Sequence, residues 1–148
     1  MREILFRGKK IINGEWIYGY YFQKQNVYAE DGNPIKHCIS DLPPFGAEII
    51  PETVGQFTGL TDKNGKKIFE GDIIKTQPFR DKPHSLHAKT KRHIGVIEYY
   101  SGRQGAEWRV DIDDRGKYTC CAFSEFFECE IIGNIHDNPE LLKGGAEQ

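Results

Sequence analysis

The sequence predicts a mainly β protein. Three observations carry that prediction: sixteen glycines interspersed with nine Phe, seven Tyr and two Trp, short apolar runs that alternate with polar residues, and Asn-Gly pairs at 13–14 and 64–65. Aromatic and β-branched side chains fit a pleated, half-buried surface, and Asn-Gly tolerates the positive φ of tight hairpin turns. At 148 residues the chain suffices for one ordinary domain or for a small barrel with a second lobe. It is too short for two large domains.

Residues 3–12 and 15–23 read as strands joined by a primed turn at Asn13-Gly14, an N-terminal hairpin. In the second strand Trp16, Tyr18, Tyr20 and Phe22 share a face by the two-residue period. That stripe is too apolar to leave in water, so it is expected either in the core or between copies of the chain, as in a homo-oligomer. From 24 to 47 the strand pattern weakens. Asp31-Gly-Asn-Pro34 is a turn, and Asp41-Leu-Pro-Pro-Phe-Gly46 is a loop whose prolines cannot join a central strand; the boundary between two regions is expected here. Glu48–Thr58 is extended again, with Pro51 at an edge or strand start. Two apolar segments then flank Asp62-Lys-Asn-Gly-Lys66, another hairpin, and Glu70-Gly71-Asp72 interrupts the pattern before Ile73-Ile74-Lys75.

The second half gives five strand candidates: Ile68–Thr76, Ile94–Tyr100, Glu107–Ile112, Lys117–Ala122 and Cys129–Ile135. Within the third, Trp108, Val110 and Ile112 alternate with Arg109, Asp111 and Asp113, the mark of a strand with one wet face. Asp113–Gly116 is a turn, and Ser124–Glu128 reads as one helical turn capped by Ser124. Five short antiparallel strands with a single helical turn before the last match an SH3-like small β-barrel, with residues 77–93 as its variable loop. The expected layout is an N-terminal β-hairpin region and connecting loop at 1–58, the barrel at 59–143, and a disordered tail at 144–148. Near the end, Asn138 can cap and Pro139 can open a short C-terminal helical turn.

A net charge of −2 conceals an uneven distribution: residues 63–93 carry +6 and residues 94–148 carry −6. Such asymmetry serves an anionic partner, head-to-tail association or simple solvation. No apolar stretch approaches the roughly 18 residues of a membrane span, and the start lacks a signal peptide's apolar region, which predicts a cytoplasmic protein. Cys38, Cys120, Cys121 and Cys129 have no regular spacing, so reduced thiols are expected.

Candidate chemistry is sparse. His84, His87 and His93, with Cys38 after His37, are of types that can supply zinc ligands. They lack the paired short spacings of a structural site, so no metal and no cofactor is expected. There is no Gly-x-Ser-x-Gly elbow and no cysteine-nucleophile context, so no catalytic residue is named. Asp111, Asp113 and Asp114 form an acidic cluster that alternation assigns to a solvated hairpin end. The basic loop, with Lys75, Arg80, Lys82, Lys89, Lys91 and Arg92 beside Phe79, has the composition of a nucleic-acid contact: cations release phosphate counterions and rings stack on bases.

Four blocks carry a family resemblance: Arg2-Glu-Ile-Leu-Phe-Arg-Gly-Lys9 with Gly14-Glu-Trp-Ile-Tyr-Gly-Tyr-Tyr21, Pro51-Glu-Thr-Val-Gly-Gln-Phe-Thr-Gly-Leu-Thr-Asp-Lys-Asn-Gly65, Phe69-Glu-Gly-Asp-Ile-Ile74, and Glu130-Ile-Ile-Gly-Asn-Ile-His-Asp-Asn-Pro-Glu-Leu141. Together, and in this order, they resemble the YopX family of phage and prophage proteins. The resemblance implies a phage- or prophage-encoded protein of a bacterial host and an SH3-like barrel, and it brings no catalytic residues with it. The expected function is a non-catalytic binding or assembly module. Nucleic-acid binding through the loop at 75–93 is the alternative, and a metal-dependent enzyme the third reading.

Overall fold

Strands β1 (Phe6–Lys9) and β2 (Trp16–Gln25) form the N-terminal hairpin, with Arg7 opposite Tyr18 and Lys9 opposite Trp16. The computed structural model describes residues 3–28, 30, 32, 34–80, 86–87, 90–103, 105–111, 120–122 and 128–142. The chain divides into two compact units, Met1–Gly59 and Leu60–Gln148. The first hairpin's connection is longer than a two-residue primed turn. Lys10 N–H donates to the Glu15 carbonyl (2.9 Å) and Gly14 N–H to the Lys10 carbonyl (2.9 Å), so four residues make the loop and Gly14 alone supplies the positive φ.

The first unit continues through β3 (Ile35–Ser40), β4 (Ala47–Glu48), a 3-10 turn at Pro51–Thr53 and β5 (Gly55–Thr61), which runs on into the second unit. The antiparallel order is β4-β3-β2-β1-β5. Strand β3 occupies part of the stretch where the sequence pattern weakens, and it is central: Tyr20 pairs with Ser40 on one side and Cys38 with Glu48 on the other. Pro51 opens the 3-10 turn rather than a strand, as fits a residue without an amide donor. Thr53 ties that turn to β1, its hydroxyl accepting from Lys9 N–H at 2.8 Å and donating to the Ile50 carbonyl at 2.6 Å.

Residues 47–49 are paired along both edges. On one side lies β3; on the other, Ile11 N–H donates to the Glu48 carbonyl (3.0 Å), Ile50 N–H to the Lys9 carbonyl (2.8 Å), and Lys10 bridges Ile49. The sheet therefore curls, with Gly8 packed beneath the fully buried Ile39 and Ile49 on its inner side. By strand alternation, Arg7, Lys9, Trp16, Tyr18, Tyr20, Lys24, Lys36, Cys38 and Glu48 belong to the opposite, outer side.

In the second unit β6 (Lys67–Phe69) pairs with β5. The connection between them is organised by Asp62, which is only 6% exposed. Its Oδ1 accepts from Asn64 N–H and Lys66 N–H, both at 2.9 Å, and its Oδ2 from Ile131 N–H at 3.1 Å. Gly65 N–H donates to the Asp62 carbonyl at 2.9 Å with φ +80° at Gly65, so this is a three-residue loop with a glycine bulge, again longer than a primed turn.

The expected single strand Ile68–Thr76 is divided. After β6, a turn at Glu70-Gly71 with φ +84° at Gly71 redirects the chain into β7 (Asp72–Lys75), and buried Asp72 closes the turn by accepting Phe69 N–H at 2.8 Å. A short ladder of β8 (Phe79–Arg80) and β9 (Thr90–Lys91) follows within the basic loop. Then come β10 (Ile94–Gly102), β11 (Gly105–Asp111), β12 (Cys120–Ala122), β13 (Glu130–Asn134) and a 3-10 turn at Pro139–Leu142. Their antiparallel order with β7 is β12-β11-β10-β7-β13. Ile68, Ile74, Ile97, Val110 and Cys129 form the core, with Trp108 and Ile131 packed against it. Asn138 turns its Oδ1 toward Asn134 N–H (3.4 Å) rather than capping the final turn. The expected turn at Asp113–Gly116, the helical turn from Ser124, the start of the fourth strand at Lys117 and the tail at 144–148 lie outside the described residues.

Candidate functional site

The aromatic stripe of β2 faces outward. Tyr18 and Tyr20 are 50% and 57% exposed, while Trp16 and Phe22 are half-buried. Cations from the neighbouring strand hold Trp16: the Arg7 guanidinium lies 4.7 Å and the Lys9 ammonium 5.5 Å from its ring centroid. Arg7 is itself buried, which strengthens an attraction worth about 0.5–1 kcal/mol at exposed sites. One end of the stripe is thus fixed in place and its middle is left to solvent. The period-two pattern locates the stripe in the sequence; nothing in the sequence announces the cations beneath it.

Further along the same outer side, the end of β2, β3, β4 and the loop before β4 line an open pocket of about 580 Å³. Lys24, Lys36 and Glu48 flank Cys38, and Pro44 and Phe45 supply an apolar wall. Lys36 and Glu48 are paired at 3.3 Å. Burial first, then the Glu48 carboxylate, push the Cys38 thiol up, against the opposing influence of Lys24; a thiol so shifted is a poor nucleophile. The loop is firmly held: Leu42 N–H donates to Ser40 Oγ (2.9 Å) and Phe45 N–H to the Leu42 carbonyl (3.2 Å). Gly46 lies so near β3 that a Cβ there would stand 2.7 Å from the Ile39 carbonyl oxygen.

The basic loop is gathered only in part. Lys75 and Lys91 are half-buried on β7 and β9, Arg92 donates from Nη1 to the Thr76 carbonyl at 3.3 Å, and Arg80 lies on β8 opposite Thr90. Lys82 and Lys89 lie outside the described residues, as does His84. His93 is fully buried, its N–H donating to Thr76 Oγ1 at 3.0 Å and its carbonyl accepting Thr76 N–H at 2.8 Å, whereas His87 is exposed. Among the described residues no three His, Cys, Asp or Glu side chains are grouped to hold a metal ion. Asp111 stands near Glu98, whose carboxyl is pushed up by burial and then by the Asp111 and Glu70 charges; Asp113 and Asp114 lie outside the described residues. Cys129 belongs to the core, its thiol pushed up by burial and then by Asp62. Among the described residues no helix is long and apolar enough to cross a membrane.

No curated protein matches the chain. Among solved structures, the crystal structure of protein EF1440 from Enterococcus faecalis is similar, at 24% identity and a TM-score of 0.49, covering 96% of this chain and 99% of that one. The YopX protein family model matches residues 5–143, nearly the whole length. The chain is therefore a member of the YopX protein family.

Proposed function

We propose that this protein is a non-catalytic binding and assembly module whose first unit associates with a second copy through the outward stripe of β2. One observation carries the reading: Tyr18 and Tyr20 occupy successive same-face positions of a regular ladder and are both half-exposed. Burying such rings against a copy of themselves would yield up to about 25 cal/mol per Å² of apolar area. The side chains held most firmly support a structural role as well. Asp62, Thr53 and Thr76 all direct their oxygens to backbone partners rather than into a shared cleft. The SH3-like reading of the second unit is supported by its strand order, a meander from β7 to β12 with β13 returning beside β7. We extend the proposal to a phage- or prophage-encoded protein in the cytoplasm of its bacterial host, as the resemblance to the YopX family implies.

Light scattering on the eluting protein tests the assembly. The wild type is expected as a defined oligomer, and a Tyr18→Ser, Tyr20→Ser double variant as a folded monomer. A wild type that stays monomeric at high concentration would sink the proposal.

Nucleic-acid binding by the basic loop is the second reading. It is favoured by the β8–β9 ladder, which pairs Phe79 with Lys91 in backbone register on one small hairpin. Single-stranded DNA should then shift in a gel at low salt, and Lys91→Glu with Arg92→Glu should weaken the shift by about tenfold or more. A shift unchanged by the two substitutions would clear the loop.

A further inference from the structure

The pocket of the first unit has the makings of a ligand site distinct from the aromatic stripe. We propose that it binds a flat organic anion, with a ring lying against Pro44 and Phe45 and a carboxylate or phosphate held by Lys24 and Lys36. Its volume of about 580 Å³ lies within the roughly 300–1,000 Å³ common to small-molecule sites.

Charge selects the sign of the occupant. Among the described lining residues two lysines and one glutamate carry charge, and Glu48 is already matched by Lys36 at 3.3 Å. That leaves the Lys24 ammonium, for which the described residues supply no carboxylate partner, as the uncompensated charge. Lys24 and Lys36 pair across β2 and β3, so their side chains rise from directly opposed positions on one side of the sheet. An anion between them would complete a Glu48, Lys36, anion, Lys24 series of alternating charges.

Shape selects the rest of it. The Phe45 ring is 77% exposed at the end of a turn whose backbone is fixed by the Ser40, Leu42 and Ile39 contacts described above. A large exposed ring on a loop whose backbone is already held is a ready stacking surface, and little backbone ordering remains to oppose binding. Gln25 and Asn26 supply amides beside it. Asn26 Oδ1 accepts from Tyr28 N–H at 3.1 Å, which leaves the side-chain NH2 group to donate to a ligand acceptor. Ring, cation and amide donor therefore line the same small space.

Two sources share this chemistry, an aromatic carboxylate and a nucleotide, and titration of the full-length protein separates them. Amide shifts would be followed by two-dimensional NMR with benzoate and with adenosine monophosphate, against benzamide and adenosine as uncharged controls. Saturable shifts are expected at Gln25, Lys36, Phe45 and Glu48 with at least one anion, the tighter one naming the source. Lys24→Glu should weaken that binding by about tenfold or more, and Phe45→Ala by about fivefold. Both side chains are exposed, and an unchanged spectrum away from the pocket establishes that each variant is folded. The proposal fails if neither anion saturates by about 10 mM, if the shifts map elsewhere, if the uncharged controls bind equally well, or if both variants bind like the wild type. None of these outcomes depends on the oligomeric state set by Tyr18 and Tyr20.

Discussion

Replacing Asp62 by alanine is expected to destabilise the second unit by about 3 kcal/mol, since a hydrogen bond to a charged acceptor contributes roughly 1.5–3 kcal/mol and only one of the three lost is left without a replacement. The donors at Asn64 and Lys66 belong to an exposed loop where water can replace the carboxylate, while Ile131 N–H lies within β13 and has no such substitute. The cost is therefore concentrated at β13. Chemical denaturation measures the total, and hydrogen exchange should show the Ile131 amide losing protection more than amides of β10. If stability changed by less than about 1 kcal/mol, the carboxylate would not be the organiser of this turn.

The same carboxylate sets a pH dependence. Burial alone would raise its pKa, but the N–H groups of Ile131, Lys66 and Asn64 and the Lys66 charge together leave it below the ordinary aspartate value. A group whose folded pKa is depressed stabilises the fold above its unfolded pKa, near 3.9, and loses that contribution as pH falls toward the folded value. The stability difference between wild type and Asp62→Ala should hence be constant at neutral pH and shrink below about pH 4. A difference that grew on acidification would have the wrong sign for this assignment.

Gly19→Ala is expected to cost the first unit about 3 kcal/mol, the upper part of the range for overpacking a well-packed interior. A Cβ at residue 19 would stand 2.5 Å from the Ser40 carbonyl oxygen and 2.7 Å from its carbonyl carbon. Both are backbone atoms, so no side chain can swing aside and β2 must separate from β3 where Tyr20 pairs with Ser40. Loss of amide protection across that ladder, with the β10–β11 ladder unchanged, would be the signature. Gly14→Ala provides the contrast, because nothing lies within 4 Å of its Cβ position and only the turn conformation opposes it. Equal costs for the two would show that close approach is not the reason for Gly19.

Much of this architecture is legible in the sequence where one rule acts alone. The β2 stripe follows from period two, and the glycines of the hairpin loops follow from the need for positive φ. The loop lengths are not legible from Asn-Gly. At Asp62 a side chain completes the turn from outside the dipeptide, and at Lys10 the ladder ends early as that residue bridges Ile49. Strand β3 escapes notice because Cys38, Ile39 and Ser40 are buried in succession, so alternation disappears where the curled sheet covers one side and the loop at 42–46 the other. The division of Ile68–Thr76 is signalled by Glu70-Gly71-Asp72, yet its consequence, two strands in two different sheets, requires partners distant in sequence. The pocket is harder still: its lining comes from three strands and a loop, and no local pattern joins Lys24, Lys36, Phe45 and Glu48.

The double pairing of residues 47–49 bears on how copies of this chain can meet. An unpaired strand edge is adhesive toward almost any extended chain, including identical ones, and propagates without limit. Here that edge is already consumed by Lys9–Ile11 of the same molecule. Union through the outer side of β2 would then rest on matching side-chain shapes, which permits a closed, countable complex that disperses on dilution and offers no template along that edge for fibre growth.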